Sequence, residues 1–336
     1  MNINNIDGTI AGQIAYDNIA RVHSDIQTLE KAKLLQKNIT ERPYLIAHYD
    51  HNDAGNRSYI KWQTDLAKIL SIPYSALRSD RLADGEDVLQ TIKNQNSINL
   101  IGALFLANPL HPDVDFQQAI DSIDPIKDID GLSTFHKSKY MDQIIDNLEW
   151  IHFHPTALSV LSLLQETVGQ DLINKKIIVA GWSGKIGSMI CAVLKLVWAI
   201  PQVYNITPET YKPEELENML MTSDGFVSVI RGAQVFDGAL FDTFKWPIID
   251  VTTAKNNKWQ TVWWVQTTSF DPKADHIYIP PTKGGVGTIT KAHLMANYIR
   301  AITQKMIQDD KDPKYFEHIH HKTNNSDIIT WVTIEE

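Results

Sequence analysis

Three observations predict an α/β fold in two domains, each a parallel sheet covered by helices. Short apolar runs of strand length alternate with stretches whose apolar residues recur at helical spacing, along nearly the whole chain. The 336 residues, 43% of them hydrophobic, are enough for two ordinary cores. Glycine-rich turns stand before two of the helical stretches, at Gly181 to Gly187 and at Gly284, Gly285 and Gly287.

In order, residues 11–37 carry apolar positions at helical spacing, and 43–49 read as a buried strand ending at the polar loop 50–57. A helix near 59–70, a strand near 73–77, a helix near 84–95, a strand at 99–106 and a helix near 113–121 follow. Such alternation means parallel strands with helices on both faces. A linking region over 130–153 contains one helical stretch, which places the domain boundary near residue 150. The second domain, 151–290, begins with a helix at 155–168 and holds short apolar strands at 176–180, 202–206, 225–230, 247–251 and 276–279. A last long helix spans 289–307, with 291–312 set apart as a C-terminal segment, and 313–336 is a polar tail.

Composition narrows the function classes. The net charge of −9 is spread without a long basic run, which argues against nucleic acid as a partner. No apolar run reaches bilayer length and the first 12 residues lack a signal-like apolar segment, so a cytoplasmic protein is expected. The single cysteine, Cys191, lies in an apolar helical run and reads as a core residue, compatible with a reducing compartment. His318, His320 and His321 in the tail have no acidic or cysteine partner at ligand spacing, so no metal site is expected.

The chemistry is expected at the glycine turns. At Gly181-Trp182-Ser183-Gly184-Lys185-Ile186-Gly187, the first glycine permits a tight turn after a strand. Ser183 offers a donor to a phosphate, and Gly187 allows close helix packing. These seven residues are the candidate cofactor-binding loop of a Rossmann-type domain, with an ordinary strand-to-helix turn as the plain alternative. Lys283, Gly284, Gly285, Gly287 and Thr290, at the start of the last helix, form a second turn where backbone can approach a flat ligand closely.

These two turns, together with Ser58-Tyr59 and Lys127-Asp128-Ile129-Asp130-Gly131, stand in an order and spacing that resembles the methylenetetrahydrofolate dehydrogenase/cyclohydrolase family across about residues 10–305. The resemblance implies an N-terminal folate-binding α/β domain, a C-terminal nicotinamide-binding domain and a cleft between them. The last helix packs back on the first domain in such enzymes, which are homodimers joined through their nucleotide-binding domains. Tyr59 is then expected to stack on the substrate, and Asp130 to accept two hydrogen bonds from a pterin ring. Asp128 has the competing role of holding the turn.

The chain departs from the family pattern at several places. Gln63 stands where a catalytic lysine is expected, one helical turn after Tyr59, and Lys61 is rotated away by about 200°. Ala107, two residues before Pro109, replaces a glutamine. Hydrolysis of a methenyl group needs a positioned acid/base and a polar partner, which Gln63 and Ala107 do not provide, whereas hydride transfer depends mainly on positioning. The resemblance therefore predicts a dehydrogenase acting on a methylenetetrahydrofolate-like substrate, with hydrolysis lost or very weak. Trp182 replaces an arginine suited to a 2′-phosphate, which favours NAD over NADP. Arg231-Gly232 near the expected nicotinamide site, Lys283, and His154-Pro155-Thr156-Ala157 are further replacements. A divergent paralogue oxidising a related imine, aminal or pterin-like compound, or a catalytically silent folate or nucleotide binder, remain the alternatives. An amino-acid dehydrogenase ranks last, because Lys61 and Lys68 do not share the Tyr59 helix face.

Overall fold

The computed structural model describes residues 10–31, 35, 41–141, 151–181, 183–204, 211–230, 236–251, 253–255, 261–263, 265–266 and 285–309. The first unit opens with α1 (Ile10–Lys31) and continues through β1 (Tyr44–Tyr49), α2 (Ala54–Ile69), β2 (Tyr74–Arg78), α3 (Gly85–Asn96), β3 (Ile101–Leu106), α4 (Phe116–Asp121) and α5 (Thr134–Met141). The three strands are parallel in the order β2-β1-β3, and Leu104 bridges to Asp128 beyond the β3 edge. Every residue of β3 is buried, which explains its unbroken apolar sequence.

Side-chain caps start the helices. Asp53 accepts from the Asn56 amide before α2, at 2.7 Å, and Asp84 accepts from the Glu86 and Asp87 amides before α3. Because Asp53 is the cap, α2 begins five residues before Tyr59, which therefore lies in the second turn rather than at the helix start expected from sequence.

The second unit contains α6 (Pro155–Thr167), β4 (Lys176–Ala180), α7 (Lys185–Leu196), β5 (Ile200–Tyr204), α8 (Pro213–Leu220), β6 (Gly225–Ser228), β7 (Phe236–Asp237) and β8 (Ile248–Asp250). The short strands β9 (Thr253–Lys255), β10 (Thr261–Trp263) and β11 (Val265–Gln266) follow. Four strands form a parallel sheet in the order β5-β4-β6-β8. The chain leaves β4 in one direction for β5 and then returns past it to β6, so a crevice opens at the carboxyl ends of β4 and β6. The strand expected at 276–279 and the tail lie outside the described residues.

The last helix, α9 (Val286–Asp309), starts earlier than sequence periodicity indicated and joins the two units. On the first unit, the Tyr298 hydroxyl donates to the Pro43 carbonyl at 2.6 Å, and Ile302 packs so closely on β3 that a Cβ at Gly102 would lie 2.7 Å from it. On the second, Ser159 and Ser162 of α6 meet Thr290 and His293, each at 3.1 Å. Asn297 donates to the Ile129 and Phe153 carbonyls at 2.8 and 2.9 Å, tying together segments on either side of residue 150.

Candidate active site

The loop after α4 is built to hold one carboxyl group in place. Asp128 accepts from the Gly131 and Ser133 amides at 3.1 and 2.8 Å, so its side chain is spent on the turn. Gly131 adopts φ +63°, and a Cβ there would lie 2.2 Å from the His152 carbonyl oxygen, so glycine is required twice over. The Lys127 ammonium donates to the carbonyls of Asn96 and Ile98, fastening the loop to the end of α3. The His152 ring stacks on His136 at 5.1 Å, and its Nδ1 donates to the Asp128 carbonyl at 2.8 Å.

Asp130 is thereby left buried, with no donor reaching its carboxyl group among the described residues. Burial pushes this group up to about 8, and the nearby Asp128 charge adds to the rise. At neutral pH the group is mostly a neutral acid, able to donate as well as accept. Tyr59 lies close enough that burial first, and then the Asp130 charge, raises its phenol above the ordinary range. Its ring stacks on Phe105 with centroids 5.5 Å apart.

Gln63 is fully enclosed. Its Oε1 accepts from the Tyr74 hydroxyl at 2.9 Å, linking α2 to β2, while its Nε2 has no partner among the described residues and the side chain also bears on the Tyr59 phenol. Ala107 is also buried, with its amide donating to the His48 carbonyl at 2.9 Å, and Asn108 beside it is exposed.

The amine that does reach this region comes from α9. Lys291 Nζ lies 4.1 Å from the centre of the Trp62 ring and 5.7 Å from that of Tyr59. Burial pushes this amine down to about 8. Sequence reasoning missed Lys291, although two signals were present: it follows Gly287 by one helical turn, and α9 was expected to pack on the first domain.

Of the glycine turn, Gly285 is buried and its carbonyl accepts from the Thr288 amide at 2.9 Å. Gly287 is exposed, and a Cβ there would meet nothing within 4 Å. Thr290 corrects an expectation. Its hydroxyl donates to the Val286 carbonyl at 2.9 Å and contacts Ser159, so it belongs to the α6–α9 contact rather than to a ligand surface. Lys283 and Gly284 lie outside the described residues, as do Trp182, Arg231 and Gly232.

At the crevice of the second sheet, Gly181 takes φ +86° with the backbone of Val229 close by, since a Cβ would lie 3.2 Å from the Val229 carbonyl carbon. Its carbonyl accepts from Gly184 at 3.2 Å, closing the turn. Ser183, Gly184 and Lys185 are exposed, Ile186 is half-buried and Gly187 is buried in α7. Gly184 gives α7 no side-chain cap, which leaves the first-turn amides for a phosphate. The Lys185 ammonium lies 5.5 Å from the Phe116 ring of α4, across the cleft from its own domain. These features fit a dinucleotide. His154 caps α6, accepting from the Thr156 amide at 3.1 Å, and burial pushes its ring down to about 3. Among the described residues no group of three or more potential metal ligands occurs, and no helix is long and apolar enough to cross a membrane.

Comparison with known proteins agrees with this arrangement. Residues 154–306 match the family model described as tetrahydrofolate dehydrogenase/cyclohydrolase, NAD(P)-binding domain. The bifunctional protein FolD of Nautilia profundicola is 25% identical over 299 residues, covering 88% of this chain and 96% of that protein. The FolD of Clostridium beijerinckii is 27% identical over 256 residues, covering 75% and 84%. Among solved structures, the Trypanosoma brucei N5,N10-methylenetetrahydrofolate dehydrogenase-cyclohydrolase, complexed with NADP cofactor and inhibitor, superposes with a TM-score of 0.73 at 20% identity, over 88% of this chain and 96% of that one. The NAD-dependent 5,10-methylenetetrahydrofolate dehydrogenase of Saccharomyces cerevisiae gives 0.67 at 14% identity, over 89% and 98%. The structural likenesses establish a shared two-domain fold, and over most of its length the chain is similar to bifunctional FolD proteins, with residues 154–306 matching the tetrahydrofolate dehydrogenase/cyclohydrolase NAD(P)-binding domain.

Proposed function

We propose that the protein is an NAD(P)-dependent oxidoreductase that removes a hydride from 5,10-methylenetetrahydrofolate, giving the methenyl compound. The observation that carries this reading is the Asp130 carboxyl group, isolated by a purpose-built loop and buried beside Tyr59. In its ionised form, which approaching N–H donors favour, such a group suits the paired amino and ring N–H of a pterin. Tyr59 flanks the substrate, and Gly287 leaves space above the start of α9. The turn at Gly181, with Ser183 and Gly184, receives the dinucleotide phosphates at the N-terminus of α7. Bound NAD(P) supplies the hydride acceptor. The C–H bond at the one-carbon bridge breaks with its electron pair, and the flanking nitrogens of the substrate carry the resulting charge, so positioning is the main task of the protein.

Hydrolysis of the methenyl product is lost or very weak in this reading. Gln63 is buried on α2 against Tyr74 and carries no proton to exchange, and Ala107 presents no polar side chain. A homodimer is part of the same proposal. It is supported by the exposed Trp198, Ile200 and Val203 at and just before β5, which is the outer strand of the second sheet.

The test is to supply purified protein with methylenetetrahydrofolate and NAD or NADP, following methenyl and formyl products separately. Methenyl accumulation without enzymatic hydrolysis is expected. A folded protein that reduces neither cofactor refutes the assignment, and related imines or aminals then become the substrates to try.

A further inference from the structure

Gln63 leaves the position one turn after Tyr59 on α2 without a cation, yet the same cleft wall is approached by an amine from the opposite direction. Lys291 is on α9, one helical turn beyond Gly287, so the two residues share a helix face. Its stem is half-buried, and its ammonium sits against Trp62 at 4.1 Å and Tyr59 at 5.7 Å. Both aromatic residues belong to α2, the helix from which the lysine is missing. Among the described residues no carboxylate lies within ion-pair distance of Lys291. A cation that has given up most of its water and has only ring faces for compensation is poorly satisfied by the protein itself. Its unused N–H donors are the kind that a ligand oxygen completes.

We propose that Lys291 contacts the substrate directly, donating a hydrogen bond from its ammonium to an acceptor oxygen on the flat part of the folate. This makes α9 the source of the positive charge that the α2 position no longer provides. The inference rests on the folate reading of the site and adds to it a residue that positions the substrate. The flat part is chosen over the glutamate tail because the ammonium lies beside Tyr59, the ring expected to flank the pterin or benzoyl group. A carboxylate tail and a ring carbonyl offer similar acceptors, and substrates with and without glutamate separate them.

The experiment compares wild type with Lys291→Met and Lys291→Gln, measuring KM and kcat with methylenetetrahydrofolate and with methylenetetrahydropteroate, KM for the nicotinamide cofactor, and Tm. Methionine keeps the length and removes the charge; glutamine keeps a donor. For Lys291→Met we expect the folate KM to rise about 10- to 100-fold, the loss corresponding to one charged hydrogen bond. The rise should be the same without the glutamate, while the cofactor KM stays within about twofold of wild type. Lys291→Gln should fall between the two. The Tm of Lys291→Met should be unchanged or higher, because an uncompensated buried charge has been replaced by an apolar chain. A purely structural lysine would show the reverse, a lower Tm with KM unaltered, and that result overturns the proposal. A loss confined to the glutamate-bearing substrate overturns the ring-side contact. Wild-type hydrolysis of methenyltetrahydrofolate that vanishes in Lys291→Met gives the amine an acid–base role and overturns the positioning role. Wild-type protein that reduces neither cofactor refutes the folate reading, and this proposal with it.

Discussion

Substituting Asp130 by asparagine should make the protein more stable at neutral and alkaline pH while destroying its activity. In the folded protein the Asp130 carboxyl titrates at about 8, against an ordinary 3.8. Between those values the native state retains a proton that the unfolded state has released, so native stability falls by about 1.4 kcal/mol for each unit of rising pH. Stability linked to this group is therefore greatest below 3.8 and has been lost by the time pH has passed through 8. The full span corresponds to an upper limit of roughly 5–6 kcal/mol, which relaxation and water entry reduce to about 2–3 kcal/mol. Asparagine is isosteric, carries no proton to lose, and escapes this penalty. Thermal unfolding of wild type and Asp130→Asn across pH 5 to 9 should show the two converging at the acid end. At the alkaline end the variant should lead by about 3–4 °C. Asparagine cannot accept two parallel hydrogen bonds from an amidine-like edge, so turnover should fall at least about 100-fold. A stability difference that is flat with pH refutes the burial argument, and a variant that still turns over at wild-type rate refutes the ligand role.

Two other substitutions test neighbouring parts of the site. Gly287→Ala places a methyl group where the protein itself has nothing within 4 Å, so Tm should change by less than about 2 °C while the folate KM rises; equal KM values would mean that no ligand approaches there. Asp128→Ala strips acceptors from the Gly131 and Ser133 amides and should lower stability by about 2–4 kcal/mol, read by denaturant unfolding, with loss of turnover following from the collapsed turn.

Much of the fold could be read from the chain because period and composition agree along it. β1, β3 and β4 are apolar runs flanked by polar turns, and they form within two residues of the positions their sequences indicate. Errors arose where local chemistry hides the pattern. The first turn of α2 exposes Ala54, Gly55, Arg57 and Ser58, so it has almost no apolar periodicity, and only the Asp53 cap marks the true start. β5 begins at Ile200 and runs through Pro201, a residue tolerated there because the strand lies at the edge of its sheet. α8 has one apolar stripe within a strongly acidic segment and was not anticipated.

For the site, the turn at Asp128 and the conformation of Gly181 follow from residue type. By contrast, the sealing of Gln63 by Tyr74 and the commitment of Thr290 to Ser159 depend on which helices meet. Lys291 escaped notice for the same reason. A lysine inside a helix ordinarily reads as solvated, and only the meeting of α9 with α2 brings it against Trp62.

The position of α9 also determines how the molecule comes apart. Its amides begin beside the cleft, while Asn297 holds carbonyls from both sides of the domain boundary and Tyr298 and Ile302 cover the base of the first sheet. The first unit thus depends for its own interior on residues that follow the second unit in the chain. A polypeptide emerging from the ribosome cannot complete that core until synthesis has passed about residue 302, and heating should melt both halves in one calorimetric transition.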